Sequence, residues 1–448
     1  MTFQIFNHIT LIANKPDPNP LNGFIVFNTD DQELIADLLN IEQQNSIGLR
    51  IHNTDTQYAT LVVENPDIMW EQLGSPILAD PTEFFGTAVS LSSDGTRVVI
   101  GSGGGTVAPY ARIYQYIASP SASGFGPSAG WNQLGSDISD GLASTITSPS
   151  VSISADGTRV AVGFATAAAT AGTTRVYEYS FPNWTQIGDD IDGEAVGDES
   201  GFSVSLNIDG TVLAIGTPLT GSSLSYTKIY QYSFPNWTQI GDDIDGEAVG
   251  DESGFSVSLN SAGTRVAIGA PTGGATQLGS VRVYEYSSTP TPLWSKLGNN
   301  IVGGTINDRF GWSVSLDSSG TRIAIGGWGA GGKTRIYEYT TSWNQLGTDI
   351  LSSTGSGYSV SLNDDGTRVA IGAPGDPAVA ADSGSVKVYD YTTEWSQTVQ
   401  SILGQGFERR LGYSVSLNGD GTKMAVGEPA VITSPGDGNI TIYEAVGV

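Results

Sequence analysis

Residues 179–207 and 232–260 carry one identical segment, YSFPNWTQIGDDIDGEAVGDESGFSVSLN. This copy belongs to a longer series, because a W-x-Q/K-L/I-G pattern recurs in seven registers at intervals of 49 to 61 residues. Its tryptophans are Trp70, Trp131, Trp184, Trp237, Trp294, Trp343 and Trp395, although the last register, WSQTVQSI, lacks the Leu-Gly pair. Repeats of about this period are typical of propeller blades, single sheets that bury their faces only against neighbouring sheets. The sequence therefore predicts a ring of seven units, one of which was recently duplicated.

Each unit has the pattern of four short strands joined by turns. In the fourth unit these are GFSVSLN, RVAIGAP, VRVYEY and WSKLGNNI, with the tight turn SAGT between the first two. Phe255, Val257 and Leu259 alternate with serines, so we expect small side chains to pack against large ones between stacked sheets. We predict an all-β fold, a seven-bladed β-propeller of four-stranded blades.

The two ends of the repeat predict how the ring closes. The segment WEQLGSPI at 70–77 precedes the first complete unit, whereas the last unit ends at NITIYEAVGV without a tryptophan strand. An open sheet edge would leave unpaired backbone groups and invite aggregation. We therefore predict a strand-swap (velcro) closure, in which residues 70–77 pair with 439–445 as the outer strand of the last blade.

Most basic residues occupy two fixed slots of the repeat, one at the start of the second strand and one in the third. In an antiparallel sheet the second-strand base faces the acid of the third strand. The expected pairs are Arg159–Glu178, Arg265–Glu285, Arg322–Glu338, Arg368–Asp390 and Lys423–Glu444. Exposed pairs are worth roughly 0 to 1 kcal/mol each, so we interpret these residues as structural rather than as a nucleic-acid-binding patch.

Composition narrows the function classes further. The chain has no cysteine, which excludes disulfides, thiolate nucleophiles and cysteine metal ligands. Its formal net charge of -27 disfavours nucleic acid and anionic membranes as partners. The opening residues MTFQIFNHITLIANK lack the pattern of an export signal, and no apolar run approaches the roughly 18 residues of a membrane span. We expect no nucleic-acid binding and no membrane insertion.

The segments RFGWSVSLDSSGTRIAIGG at 309–327 and GYSVSLNDDGTRVAIGAP at 357–374 resemble FG-GAP repeats, the units of the propeller at the head of integrin α chains. The resemblance covers about residues 70–448 and implies a seven-bladed propeller. It implies little about function, because one fold serves many functions. Similar tandem units occur in viruses of algae and marine microbes and in microbial surface proteins.

Many FG-GAP propellers bind calcium in the loop between the first two strands, and this resemblance raises the question of a metal. Here the matching loops, such as LSSDGTR and LNDDGTR, offer at most two carboxylates and lack the closing acid, too few for calcium. We therefore predict no cofactor. The alternative is calcium in the duplicated acidic loop, whose candidate ligands are Asp190, Asp192, Glu194, Asp243, Asp245 and Glu247.

Catalysis has little support in the sequence. The histidines are His8 and His52, both ahead of the repeats, so the repeats hold neither a Ser-His-Asp triad nor a histidine metal site. Carboxylate chemistry of the glycosidase kind stays open as an alternative. We predict a protein that is not an enzyme.

The first residues differ from the repeats. FQIFNHITLIA, GFIVFN, IGLRI and YATLVVE have strand patterns, and DDQELIADLLNIEQQ has the apolar spacing of a helix. We predict a small α+β or β-rich domain at residues 1–66, followed by the propeller at 67–448. The domain either caps the propeller or docks the protein onto other virion or surface proteins.

We expect a non-catalytic structural or adhesion module on a virion or extracellular surface, cytoplasmic during assembly, that binds a protein or glycan through propeller-face loops. The alternatives are an intracellular protein-interaction scaffold and a glycoside-active enzyme. Loops that vary on a rigid scaffold mark the face that is free to specialise. The predicted ligand-binding residues are Trp328, Arg309, Arg409 and Arg410, a tryptophan on a glycine loop and three arginines outside the repeat slots, which we expect to be unpaired. For Trp328, packing against a neighbouring blade is the structural alternative.

Overall fold

The computed structural model describes sixteen segments of the chain. They are residues 25–27, 48–54, 58–64, 69–79, 84–103, 108–119, 128–139, 148–165, 170–218, 224–273, 278–289, 291–329, 331–351, 355–397, 401–429 and 438–446. The chain divides into two compact units. The first comprises Met1–Trp70, Thr398–Gln400 and Val446–Val448, and the second comprises Glu71–Gln397 and Ser401–Ala445.

The first unit contains an antiparallel three-stranded sheet. Its strands are Ile25–Phe27, Gly48–Thr54 and Tyr58–Glu64, and the third lies between the other two. These strands fall on the predicted segments GFIVFN, IGLRI and YATLVVE. The predicted strand FQIFNHITLIA and the predicted helix DDQELIADLLNIEQQ lie outside the described residues.

The second unit is built from seven antiparallel sheets, which confirms the predicted all-β, seven-bladed β-propeller. Blades 1 to 7 follow one another along the chain. The fourth strand of blade 7 is the exception, because it comes from the start of the repeats. The first strands are Phe84–Leu91, Ser150–Ile153, Ser203–Leu206, Ser256–Leu259, Phe310–Leu316, Ser359–Leu362 and Ser414–Leu417. The second strands are Arg97–Gly103, Arg159–Phe164, Val212–Thr217, Arg265–Ala270, Arg322–Gly327, Arg368–Ala373 and Lys423–Glu428. The third strands are Tyr110–Ile117, Thr173–Ser180, Tyr226–Ser233, Ser280–Ser287, Lys333–Tyr339, Ser385–Tyr391 and Asn439–Val446.

The fourth strand of every blade consists of two segments that both pair with the third strand. The longer segments are Gly130–Gln133, Asn183–Gln186, Asn236–Gln239, Leu293–Lys296, Trp343–Gln345, Trp395–Gln397 and Met69–Gln72. The shorter segments are Ile138–Ser139, Ile191–Asp192, Ile244–Asp245, Ile301–Val302, Ile350–Leu351, Ile402–Leu403 and Ile77–Leu78. The sequence pattern predicted one continuous strand here, but the Leu-Gly step of the motif interrupts it.

The predicted closure is present in blade 7. Met69–Gln72 and Ile77–Leu78 both pair with Asn439–Val446, and Ile77 lies opposite Ile440. The Leu73 N–H donates a hydrogen bond to the Ile442 carbonyl at 2.7 Å. Residues from the beginning of the repeats thus complete the last blade, so the described propeller has no blade that lacks its outer strand.

The W-x-Q-L-G motif joins adjacent blades. The Trp237 indole N–H donates to the carbonyl of Ile187 in the preceding blade at 3.0 Å, and five equivalent tryptophans make the same bond. Gly188, after Ile187, has a φ of +76° and packs under that indole; a Cβ there would lie 2.6 Å from Trp237 Cδ1. Glycine is required because it tolerates both the backbone angle and the close approach.

Serines of the first strands also join the blades, a role the sequence analysis missed. The hydroxyl of Ser258 accepts a hydrogen bond from the Leu316 N–H of the next blade at 3.0 Å. The same bond runs around the whole ring, with the acceptors Ser90, Ser152, Ser205, Ser258, Ser315, Ser361 and Ser416. These serines are therefore hydrogen-bonding groups as well as small side chains.

Backbone hydrogen bonds close the axis at the end with the D-G-T turns, which we call the turn face. Each blade donates the N–H of one turn residue to the equivalent carbonyl of the next blade, at 2.8 to 3.1 Å. The residues in this closed circuit are Ser93, Ala155, Ile208, Ser261, Ser318, Asp364 and Gly419. They line an axial cavity of about 150 Å³. Its backbone donors and acceptors are already paired, so it offers a ligand few free groups.

Packing between blades forms the apolar core. Ala214 and Ile229 of one blade lie in a single buried cluster with Val266 and Ile268 of the next, and similar clusters fill the other seams. The predicted second-strand pairs all form, from 2.6 Å in Arg368–Asp390 to 3.7 Å in Lys423–Glu444. The same bases also reach the next blade, since Arg368 donates to the Gly421 carbonyl at 2.9 Å.

Candidate functional site

An arc of aromatic side chains surrounds the axis at the end opposite the turn face. This end, the loop face, carries the connections between blades and the loops between second and third strands. One slot, directly before the first serine of the S-V-S-L segment in the first strand, holds Phe202, Phe255, Trp312, Tyr358 and Tyr413 in blades 3 to 7. Successive ring centroids lie 4.8, 4.3, 5.5 and 4.7 Å apart. All five side chains are half-buried, and we call them the aromatic arc.

The arc ends where the slot changes residue type. Blades 1 and 2 carry Thr87 and Pro149 there. The first strands contact one another in ring order, so the five aromatic residues lie side by side on consecutive blades. Contacts of this kind are worth about 0.5 to 1.5 kcal/mol per pair beyond burial. The arc is therefore a preformed apolar surface that covers five of the seven blades.

Backbone strain accompanies the arc. Three positions before the aromatic residue, which we call the rim slot, Glu199, Glu252, Arg309 and Arg410 have φ angles of 57°, 55°, 49° and 53°. Each of these four residues accepts, at its carbonyl, a hydrogen bond from the N–H of the aromatic residue at 3.1 Å. Non-glycine residues in this region are uncommon, and such strain concentrates at ligand sites. Blade 6 has Gly355 in the rim slot, with a φ of +81°.

Trp328 packs against the arc from the loop after the second strand of blade 5. Its ring centroid lies 5.3 Å from that of Trp312 and 5.8 Å from that of Tyr358 in the next blade. Blades 3, 4, 6 and 7 have proline in this position. The Trp328 indole nitrogen is buried without a hydrogen-bond partner among the described residues. The side chain thus covers a neighbouring blade and extends the aromatic surface, and its role in ligand binding stays a prediction.

The three predicted arginines differ in their surroundings. The exposed Arg309 guanidinium lies 5.1 Å from the Trp328 ring centroid and 5.7 Å from that of Trp312. Neither Arg309 nor Arg410 has an ion pair in the described part of the chain. The expectation that Arg409 is unpaired is wrong, because its guanidinium pairs with the buried Glu428 of the same blade. Sequence spacing could not reveal this pair, since the two residues meet only across a loop.

Charge is distributed unevenly along the rim. Burial raises the pKa of Glu199, and it also raises the pKa of Glu252, although the charge of Arg309 acts in the opposite direction there. Burial raises the pKa of the Tyr358 hydroxyl, against a smaller lowering by the charge of Arg410. Acids therefore stand at blades 3 and 4 of the rim, and bases at blades 5 and 7.

The predicted alternative calcium ligands lie in connections between blades, and most have protein partners. Arg175 holds Asp190 through two hydrogen bonds of 2.9 and 2.8 Å, and the Thr173 hydroxyl donates to Asp192 at 2.7 Å. Lys228 pairs with Glu194 at 2.6 Å.

In the second copy of the acidic loop, Lys228 lies 3.7 Å from Asp243, and Lys296 lies 3.6 Å from Glu247. Burial, together with the charges of Asp243 and Glu194, raises the pKa of Asp245. Within the described ranges, no three acidic or histidine side chains are grouped as metal ligands. The loops are held instead by buried carboxylates such as Asp251, which accepts the N–H of Glu247 at 2.8 Å.

The sequence analysis missed the aromatic arc. It treated Phe255 as one member of the large-residue face of a strand, whereas that strand begins at Ser256 and Phe255 lies at the loop face. The available signal was the repeated G-[F/W/Y]-S-V-S-L, in which the aromatic residue precedes the first serine. Its meaning depends on the ring, which brings equivalent slots together at the axis.

Comparison with known proteins supports the fold and leaves the family open. No family model and no curated protein sequence matches the chain. A solved chain of hydrazine synthase from Kuenenia stuttgartiensis matches with a TM-score of 0.52 and 14% identity, over 84% of this chain and 98% of that chain. At this identity the likeness concerns the fold alone. No helix in the described segments is long and apolar enough to cross a membrane.

Proposed function

We propose that this protein is a non-catalytic binding module whose ligand site is the aromatic arc, and that the ligand is a glycan chain. The observation that carries the proposal is the line of five half-buried rings on consecutive blades, with centroid spacings of 4.3 to 5.5 Å. The C–H faces of sugar rings pack on such surfaces, while a few polar groups fix the orientation. Glu199, Glu252, Arg309 and Arg410 supply those polar groups at the rim.

A protein partner is the second candidate. Tryptophan, tyrosine and arginine dominate the binding energy of protein interfaces. Trp328 and the exposed Arg309 beside it fit that composition. The narrow shape of the arc, one residue wide at the axis, favours a chain-like glycan over a flat protein surface.

The rim carboxylates are the residues on which the enzyme alternative would depend. A glycosidase pair needs one protonated and one ionised carboxyl group, whose pKa values are pushed apart by their environments. Burial raises the pKa of both Glu199 and Glu252. Hydrolysis of a glycan panel by the purified protein would support the enzyme alternative instead.

The FG-GAP resemblance and the display role belong to the same proposal. A virion or extracellular surface is a setting in which a rigid propeller presents one face to a glycan, with residues 1–66 as the docking domain for other surface proteins. The intracellular scaffold is the alternative. Mass spectrometry of purified virions and of the secreted fraction distinguishes the two locations.

A glycan array tests the binding function. The wild-type protein should bind one class of glycan, and Trp312→Ala should abolish that binding. The matched control is Phe181→Ala, because Phe181 is 88% exposed at a hairpin turn of blade 2 and lies outside the arc. Binding that survives Trp312→Ala in a folded variant would contradict the proposal.

A further inference from the structure

We propose that the arc contains a subsite for an anionic sugar, one that carries a carboxylate or a sulfate, over Tyr358 and between Arg309 and Arg410. The proposal rests on the proposed function, since it specifies the ligand of the same site. It follows from three features of blades 5 to 7: an aromatic floor, cations without an ion pair on both sides, and an uncharged rim slot between them.

The floor is formed by Tyr358 and its two neighbours. Trp312 lies 5.5 Å away in blade 5, and Tyr413 lies 4.7 Å away in blade 7. Trp328 stands beside them, 5.8 Å from Tyr358. A sugar ring on Tyr358 would therefore have aromatic contacts below and on one side.

Two cations flank this floor. Arg309 and Arg410 occupy the rim slots of blades 5 and 7, and neither has an ion pair in the described segments. In the repeat slots, by contrast, arginines such as Arg175, Arg335 and Arg368 are held by carboxylates. The chain has a formal net charge of -27, and the guanidinium groups of these two arginines suit carboxylate or sulfate oxygens.

The rim slot of blade 6 adds no charge to this floor. It holds Gly355, where an added Cβ would lie 3.0 Å from the Gly375 backbone nitrogen. The acids Glu199 and Glu252 stand at blades 3 and 4 instead. A glycan chain along the arc would thus place its anionic residue at blades 5 to 7 and neutral, hydroxyl-rich residues at blades 3 and 4.

Single-stranded nucleic acid is the main competitor, because its bases stack on aromatic rings and its phosphates bind arginine. Such proteins combine the stacking surface with a positively charged groove along several nucleotides. Here the groove would continue over Glu199 and Glu252, which repel phosphate. An anionic sugar requires positive charge at one position only.

The test uses the full chain and two forms of one ligand. An oligogalacturonate and its methyl ester of equal length share the sugar chain and differ in charge, and calorimetry gives both affinities. We expect the acid to bind about ten-fold more tightly, since a charge-assisted hydrogen bond is worth roughly that factor. Arg309→Gln and Arg410→Gln should each weaken the binding of the acid much more than the binding of the ester, and so remove most of this advantage.

Lys296→Gln is the matched control, because it removes one positive charge from the outer strand of blade 4 and should leave both affinities unchanged. A sulfated oligogalactan and its desulfated form distinguish sulfate from carboxylate as the bound group. Thermal unfolding confirms that each variant is folded. If Arg309→Gln fails to fold, Arg410→Gln and the comparison of acid with ester still test the subsite.

Several outcomes would overturn the subsite. Equal affinity for the charged and neutral forms of both ligands, or arginine variants that behave like Lys296→Gln, would refute it while leaving glycan binding at the arc intact. Tighter binding of a short single-stranded DNA than of either anionic glycan would identify the nucleic-acid alternative. If none of these glycans and no glycan of the array binds, the proposed function fails together with the subsite.

Discussion

Two serines of blade 4 illustrate how single residues connect the ring. Ser256 donates its hydroxyl to the Gly311 carbonyl of blade 5 at 2.9 Å, whereas Ser258 accepts the Leu316 N–H at 3.0 Å. Loss of the first bond leaves a carbonyl without this donor, and loss of the second leaves a buried N–H without a partner. The unpaired N–H is the more costly of the two. Blade 1 carries alanine, Ala88, where blade 4 carries Ser256.

Substitution of these serines should therefore have unequal effects. We expect Ser258→Ala to lower the free energy of unfolding by about 1 to 3 kcal/mol, and Ser256→Ala by about 1 kcal/mol or less. Chemical denaturation of the two variants measures both values. Equal losses would show that the Leu316 N–H finds another partner.

The buried carboxyl group of Asp308 makes the stability of the protein depend on pH. Burial acts to raise its pKa, but hydrogen bonds from Thr305 and the charge of Lys333 outweigh burial, so the pKa lies below its ordinary value of 3.8. A carboxyl group with a lowered pKa stabilises the folded state above the unfolded value, and this contribution is lost as pH falls through the folded value.

Asp308→Asn should therefore be destabilised at neutral pH by roughly 1 to 3 kcal/mol. The difference in the free energy of unfolding between wild type and variant should narrow below about pH 4, where the wild-type carboxylate becomes protonated. Urea unfolding from pH 7 to pH 3 measures this difference. A difference that widens on acidification would contradict the assigned direction of the pKa shift.

At the scale of strands and blades, the second-strand bases stabilise seams as well as single sheets. Arg368 bonds Asp390 within blade 6 through two contacts of 2.6 Å and bonds the Gly421 carbonyl of blade 7 at 2.9 Å. Its side chain is 12% exposed. The estimate of 0 to 1 kcal/mol for exposed pairs therefore applies poorly to this slot.

Arg368→Met keeps the aliphatic stem and removes the guanidinium. We expect a loss of about 1 to 3 kcal/mol, because it breaks the bond between blades and leaves Asp390 half-buried without its partner. Arg175→Met is the control, since Arg175 pairs with Asp190 of its own blade 2, and should cost about 1 kcal/mol or less. Denaturant unfolding measures both losses of stability. If they are equal, the bond from Arg368 to the next blade contributes nothing measurable.

At the scale of the whole molecule, the closure links the two ends of the repeats. The outer strand of blade 7 begins at Met69, and Leu73 is bonded both to Ile442 and to the indole of Trp131 in blade 1. One short segment therefore completes blade 7 and contacts blade 1. Its removal would expose the edge of the third strand of blade 7.

Two truncations test the closure. Deletion of residues 1–78 should destabilise the propeller far more than deletion of residues 1–58, because only the first removes the outer strand of blade 7. Thermal unfolding should show a lower and less cooperative transition for the longer deletion. If both truncated proteins unfold alike, the closure contributes little to stability.

Local patterns in the sequence determined the number of blades, the strand order, the register of the Arg-acid pairs and the closing strand. Each of these depends on spacing within about one repeat, where period-two alternation and turn glycines act directly on the backbone. The register of Arg159 opposite Glu178 is an example, because both residues belong to one hairpin. The family and the partner stay predictions.

Only the tertiary structure decided which residues form the site. Curvature of the ring brings the innermost slots of neighbouring blades together, so Phe255 and Trp312, which are distant in sequence, have centroids 4.3 Å apart. Loop folding decided that Arg409 pairs with Glu428 while Arg309 and Arg410 stay unpaired. The aromatic contacts depend on distances between blades and the Arg409–Glu428 pair depends on the folding of a loop, so the pattern of one repeat carries no local signal for either.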